Sequence, residues 1–149
     1  MGTTPEDAVK QDIKATLDKY GIWHFMPMMV GYGRSGIPDH LCCISGFMFT
    51  IEAKFDAIAH RRGDVSTRGK NKGKRVKTGA PTPLQMEEMN RIRTIGNAAT
   101  LVVDKGNIGS LSKFCSTLRK LEERGLLSQQ TIKMVAQKLD LWYEVMPEL

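Results

Sequence analysis

The chain has 149 residues, 41% of them hydrophobic and 26% charged, and a formal net charge of +6. That is enough for one domain with a core of its own, and no run reaches the roughly 18 apolar residues that a bilayer-spanning helix needs. The cysteines, adjacent at Cys42 and Cys43 and remote at Cys115, exclude a disulfide framework and offer no paired zinc-ligand spacing.

The first ten residues lack the apolar stretch of a signal peptide, so a cytoplasmic setting is expected. Thr4-Pro5-Glu6-Asp7 then reads as a helix start. Thr4 can cap, Pro5 fits the first helical position, and acids favour the positive end of a helix. Val9, Ile13, Leu17 and Tyr20 recur at helical spacing and Gly21 stops the run, which predicts a helix over 5–20.

Residues 22–30 read as a strand that Pro27 confines to an edge or a bulge. The glycine-rich loop that follows, 31–36, contains Arg34. Its glycines serve either as plain turns or as a place where backbone and a phosphate approach each other.

Next come two apolar runs, His40-Leu41-Cys42-Cys43-Ile44 and Phe47-Met48-Phe49-Thr50-Ile51, around Ser45-Gly46. This is the pattern of a hairpin with a two-residue turn. In that register Ile44 faces Phe47, and Asp39 falls opposite Glu52. Opposed residues hold their Cβ atoms roughly 4.5–5.5 Å apart, close enough for two carboxylates to repel unless a positive charge intervenes. Lys54, two residues beyond Glu52, points to the same face. A four-residue loop would keep this register and a three-residue loop would break it.

From Arg61 to Lys77 the composition changes. Arg61, Arg62, Arg68, Lys70, Lys72, Lys74, Arg75 and Lys77 stand against Asp64 alone, a local net charge of +7 that exceeds that of the whole chain. Glycines interrupt the run, so a stable helix is not expected. The segment reads as an arm that grips phosphates in a salt-dependent way, or as a solvated insertion.

Thr82-Pro83 restarts a helix that ends at Gly96, with Gln85 in its first turn. Residues 98–103 form a buried strand, and 104–107 a turn. Leu111, Phe114, Leu118 and Leu121 mark a further helix ended by Gly125. Ser128 caps another, with Ile132, Val135, Leu139 and Trp142 on one face. The order is helix, three strands, helix, strand and two helices, which predicts an α/β domain with a mixed sheet.

Hard oxygen donors suit magnesium or manganese. Two carboxylates, a lysine and a basic arm together suggest phosphodiester hydrolysis, with Lys54 orienting the attacking hydroxide or stabilising charge on the phosphate. Pro38-Asp39 followed by Glu52-Ala53-Lys54 resembles the PD-(D/E)XK nuclease motif. Gly36-Ile37-Pro38-Asp39, Ile51-Glu52-Ala53-Lys54 and Thr82-Pro83-Leu84-Gln85 are similar to the VRR-NUC branch, a virus-type replication and repair nuclease.

The resemblance spans roughly residues 4–104, a restriction-endonuclease-like core with a basic insertion at 55–81 that is longer than usual in the family. It implies that Asp39, Glu52, Lys54 and Gln85 are catalytic. Metal would be held by Asp39, Glu52, the Ala53 backbone carbonyl and Glu6, the last directly or through water. Arg34 and the basic residues of 61–77 would contact DNA.

Residues 105–149 would be a helical extension packed on the core or at a dimer contact. The resemblance also implies a bacterial cell or a virus-infected host. The expected activity is magnesium-dependent DNA endonuclease, selective for branched, flapped or junction DNA in replication, repair or recombination. The rival is a non-catalytic nucleic-acid-binding protein acting through 61–77. A structural subunit contacting its assembly through the C-terminal helices is a third possibility.

Overall fold

A computed structural model describes residues 4–27, 36–55, 57, 70, 72–74 and 81–143. Its elements are α1 (Pro5–Lys19), β1 (Trp23–Phe25), β2 (His40–Ile44), β3 (Phe47–Ala53), α2 (Pro83–Thr94), β4 (Ala99–Val103), α3 (Ile108–Glu123) and α4 (Gln129–Lys138). The sheet is mixed, in the order β1-β2-β3-β4, antiparallel across the first three strands and parallel between β3 and β4. A parallel pair needs a crossover connection, and α2 lies within it.

The boundaries have local causes. The Thr4 hydroxyl accepts the Asp7 N–H at 3.1 Å while the Asp7 carboxylate accepts the Thr4 N–H, which closes a capping box. Thr82 and Gln85 form a second box at the start of α2. Ser45 and Gly46 take φ of 49° and 83°. Two positive φ values make the turn whose twist matches a hairpin. The resulting ladder runs from Ile44↔Phe47 to His40↔Ile51, the register expected from the sequence. β1 is shorter than the strand read over 22–30. It stops at Phe25, ahead of Pro27, which cannot donate to a ladder, and residues 28–30 lie outside the described residues.

Side chains alternate along β3. Phe49, Ile51 and Ala53 join Cys42, Ile44, Leu101 and Val103 in the main core, where Ile13, Leu17, Phe114, Leu118 and Ile132 pack against them. Thr50 and Glu52 project to the opposite face. There Val102, Met89 and Tyr143 form a smaller cluster. From Phe49 to Ala53 β3 is therefore covered on both faces, and Glu52 occupies a buried position, 3% exposed.

α3 and α4 complete the main core. The Phe114 ring meets Phe49 edge-on, with centroids 5.3 Å apart. Trp142 departs from the helical face read for it. α4 caps at Leu139, Asp140 takes a left-handed φ of 61°, and Trp142 pairs with Leu101 on the free edge of β4. The left-handed residue ends the helix and turns the chain back to unpaired strand groups. Among the described residues no helix is long and apolar enough to cross a membrane.

Because Phe114 is fully buried against the sheet, Phe114→Ala is expected to cost about 3–5 kcal/mol in urea denaturation. A separable extension would leave the unfolding midpoint of the sheet unchanged.

Candidate metal centre

Three elements converge at the open end of the β2–β3 hairpin. α1 brings Glu6, the residue before β2 is Asp39, and β3 brings Glu52. One carboxylate oxygen from each lies within 4.8 Å of the others.

Each acid is held by a neighbour that follows from the local fold. The ladder ends at His40↔Ile51, and Asp39 continues it through its side chain, Oδ2 accepting the Ala53 N–H at 2.8 Å. Glu52 Oε1 accepts from Gln85 Nε2 at 2.7 Å. The other end of that amide, Gln85 Oε1, accepts the Thr82 N–H. The capping box that starts α2 thus also orients a site residue. Lys54 Nζ stands 3.6 Å from Glu52 and 4.0 Å from Glu6. Lys10 Nζ is 3.5 Å from Asp39.

Burial, and then the charge of Asp39, push the Glu52 carboxyl up to about 8 despite the counteracting Lys54. Its second oxygen, Oε2, is buried with no hydrogen-bond partner among the described residues. Glu52 and Asp39 are close enough to share a proton, but two ionised carboxylates have none to share. The pair is satisfied by a proton or by a cation. With Glu52 protonated, Lys10 and Lys54 balance the remaining acids. With all three acids ionised around a divalent cation the cluster carries one net positive charge, which suits a phosphodiester. An all-oxygen donor set fits magnesium or manganese better than a soft metal.

Comparison of the chain with protein-family models, with curated proteins and with solved structures finds no match.

The structure brings together Glu6, Asp39, Glu52, Lys54 and Gln85. Ala53 enters through its N–H, bonded to Asp39, and its side chain is fully buried. Lys70, Lys72 and Lys74 are exposed. Arg34, Arg61, Arg62, Arg68, Arg75 and Lys77 lie outside the described residues. Two neighbours were missed by sequence reasoning. Lys10 sits one helical turn after Glu6, so its shared face was legible from spacing. His40, beside Asp39, is fully buried and pushed down to about 4 mainly by that burial, so it is neutral near pH 7. A histidine in an apolar strand gave no signal of this.

Gly36 shapes the approach to α2. It has φ +84°, and a Cβ there would stand 2.6 Å from the Leu84 carbonyl oxygen and 3.1 Å from the Gln85 nitrogen. Gly36→Ala is expected to destabilise the protein by at least about 2 kcal/mol, through left-handed strain and displacement of the helix start. Denaturant titration reads the loss.

Proposed function

We propose that this protein is a divalent-cation-dependent nuclease of the PD-(D/E)XK kind, hydrolysing DNA phosphodiester bonds with selectivity for branched, flapped or junction structures. The observation that carries this reading is the convergence of Glu6, Asp39 and Glu52 within 4.8 Å, beside Lys54. A bound magnesium or manganese ion supplies Lewis acidity that activates water and offsets charge on the phosphate.

The chain's own groups do the rest. Asp39 and Glu52 are held for ligation by the Ala53 N–H and by Gln85. Glu6 contributes directly or through a water. The Lys54 ammonium group can donate to the attacking water or to a phosphate oxygen, where negative charge develops. Lys10, 3.5 Å from Asp39, helps to hold that carboxylate in place.

The test is cleavage of duplex, flapped and four-way DNA with magnesium and with EDTA. Magnesium-dependent products, most abundant on branched DNA, are expected. Tight binding of every substrate without cleavage would favour the non-catalytic reading, in which the basic 61–77 segment and its exposed lysines do the work. Light scattering in the same buffer reports whether the active species is a dimer.

A further inference from the structure

We infer that the bare half of the sheet beside the carboxylates is a stacking platform for unpaired nucleobases, so that the strand entering the site is single-stranded. The inference deepens the nuclease reading and rests on it for the direction in which the strand runs.

The platform follows from register. Trp23, Cys43 and Met48 lie in one row across β1, β2 and β3, and Phe25, Leu41 and Thr50 in another. By the two-residue alternation of strands these rows share the face of Glu52. α2 covers that face over β3 and β4, where Gln85 reaches Glu52 and Met89 packs near Val102. Among the described residues no element covers this face over β1 or at the hairpin end of β3, where Trp23 is 61% exposed, Phe25 45% and Met48 38%. The two rings touch edge-on, 5.4 Å between centroids, and both remain accessible.

Sheet spacings put Phe25 roughly 12 Å from Glu52, two residues along and two strands across. A short stretch of single strand spans that distance. Lys10 and Lys54, ion-paired with the carboxylates, stand at the near end of the path. Ammonium groups at one end and exposed rings at the other match the pairing of phosphate grip and base stacking used by single-strand binders.

Area argues against a second copy of the chain. The exposed parts of Trp23, Phe25 and Met48 offer roughly 300 Å², less than half of the ~800 Å² per partner of a stable interface. One or two stacked bases need no more than this patch.

The experiment is fluorescence anisotropy of labelled oligothymidylate and of a blunt duplex, in EDTA so that nothing is cut. Wild type, Trp23→Ala, Phe25→Ala and Trp23→Tyr are compared, with circular dichroism confirming that each is folded. Each alanine variant is expected to weaken oligothymidylate binding about tenfold and to leave duplex binding within about twofold, and Trp23→Tyr to restore most of the loss. Unchanged oligothymidylate affinity in both alanine variants overturns the inference. So does an equal loss on both DNAs, or a shift from dimer to monomer without loss of DNA binding. A parallel magnesium cleavage assay reads the nuclease proposal separately, because the binding arm needs no catalysis.

Discussion

Glu52→Gln and Asp39→Asn are each expected to lower magnesium-dependent DNA cleavage at least about 100-fold while the protein stays folded. Both substitutions keep size and an acceptor oxygen. Gln85 can still donate to residue 52, and the Ala53 N–H can still donate to residue 39, so the local hydrogen bonds survive. What disappears is one negative charge from a set of three. Lys54→Ala should cause a loss of similar order, since its ammonium group is 3.6 Å from Glu52. Cleavage rates and magnesium-induced thermal shifts, measured on the same preparations, decide the matter. The acid variants should lose both the cleavage and the shift, whereas Lys54→Ala should lose cleavage and keep the shift. Wild-type rates in all three would end the nuclease reading.

A second large effect is expected in the pH dependence of stability without metal. Glu52 titrates at about 8 when folded against 4.5 for the ordinary carboxyl, so between these values the folded protein holds the extra proton. The stability it contributes is fully present below 4.5 and is lost as pH rises through 8. His40 works in the opposite sense. Folded at about 4 against an ordinary 6.5, it makes the unfolded chain the better proton binder between those values, and stability rises with pH there. The two slopes, each about 1.4 kcal/mol per pH unit, largely cancel from 4.5 to 6.5. Above 6.5 Glu52 acts alone, and metal-free stability should fall by roughly 2 kcal/mol up to pH 8. In Glu52→Gln this fall should vanish, leaving the rise due to His40.

A divalent cation takes the place of the proton on Glu52, so its stabilising effect should grow toward pH 8 and then level off. Urea denaturation at pH 5, 6.5 and 8, with and without magnesium, reads every part of this. A wild-type curve that climbs from pH 6.5 to 8 without metal would contradict the assignment of Glu52 as the buried proton holder.

The two effects share a cause, a buried acid beside another acid. The sequence made half of that cause legible. Alternation on either side of Ser45-Gly46 fixed the hairpin, and with it the ladder whose open end carries Asp39 and Glu52. What it left open was the depth of Glu52. A polar residue at the end of an apolar strand reads equally well as a solvated cap, and its burial comes with α2, whose Gln85 bonds it while Met89 packs with Val102 of the neighbouring strand. The same reasoning explains Trp142. Its helical spacing was real, but the left-handed Asp140 and the free edge of β4 together drew it into a strand pairing.

What the sequence determined alone was whatever depends on near neighbours. Capping boxes at Thr4 and Thr82, the positive-φ turn, the hairpin register and the order of elements all arise within a few residues. Only the tertiary structure decided that Glu6 and Lys10, a helix away, reach the acids of the hairpin. It also decided that Gln85, 33 residues beyond Glu52, supplies its donor, and that Trp23 and Phe25 stay exposed. Those outcomes depend on how α1 and α2 seat on the two faces of the sheet. Local periodicity says that a helix has an apolar side, but not which polar groups it carries to a neighbouring strand when that side is buried.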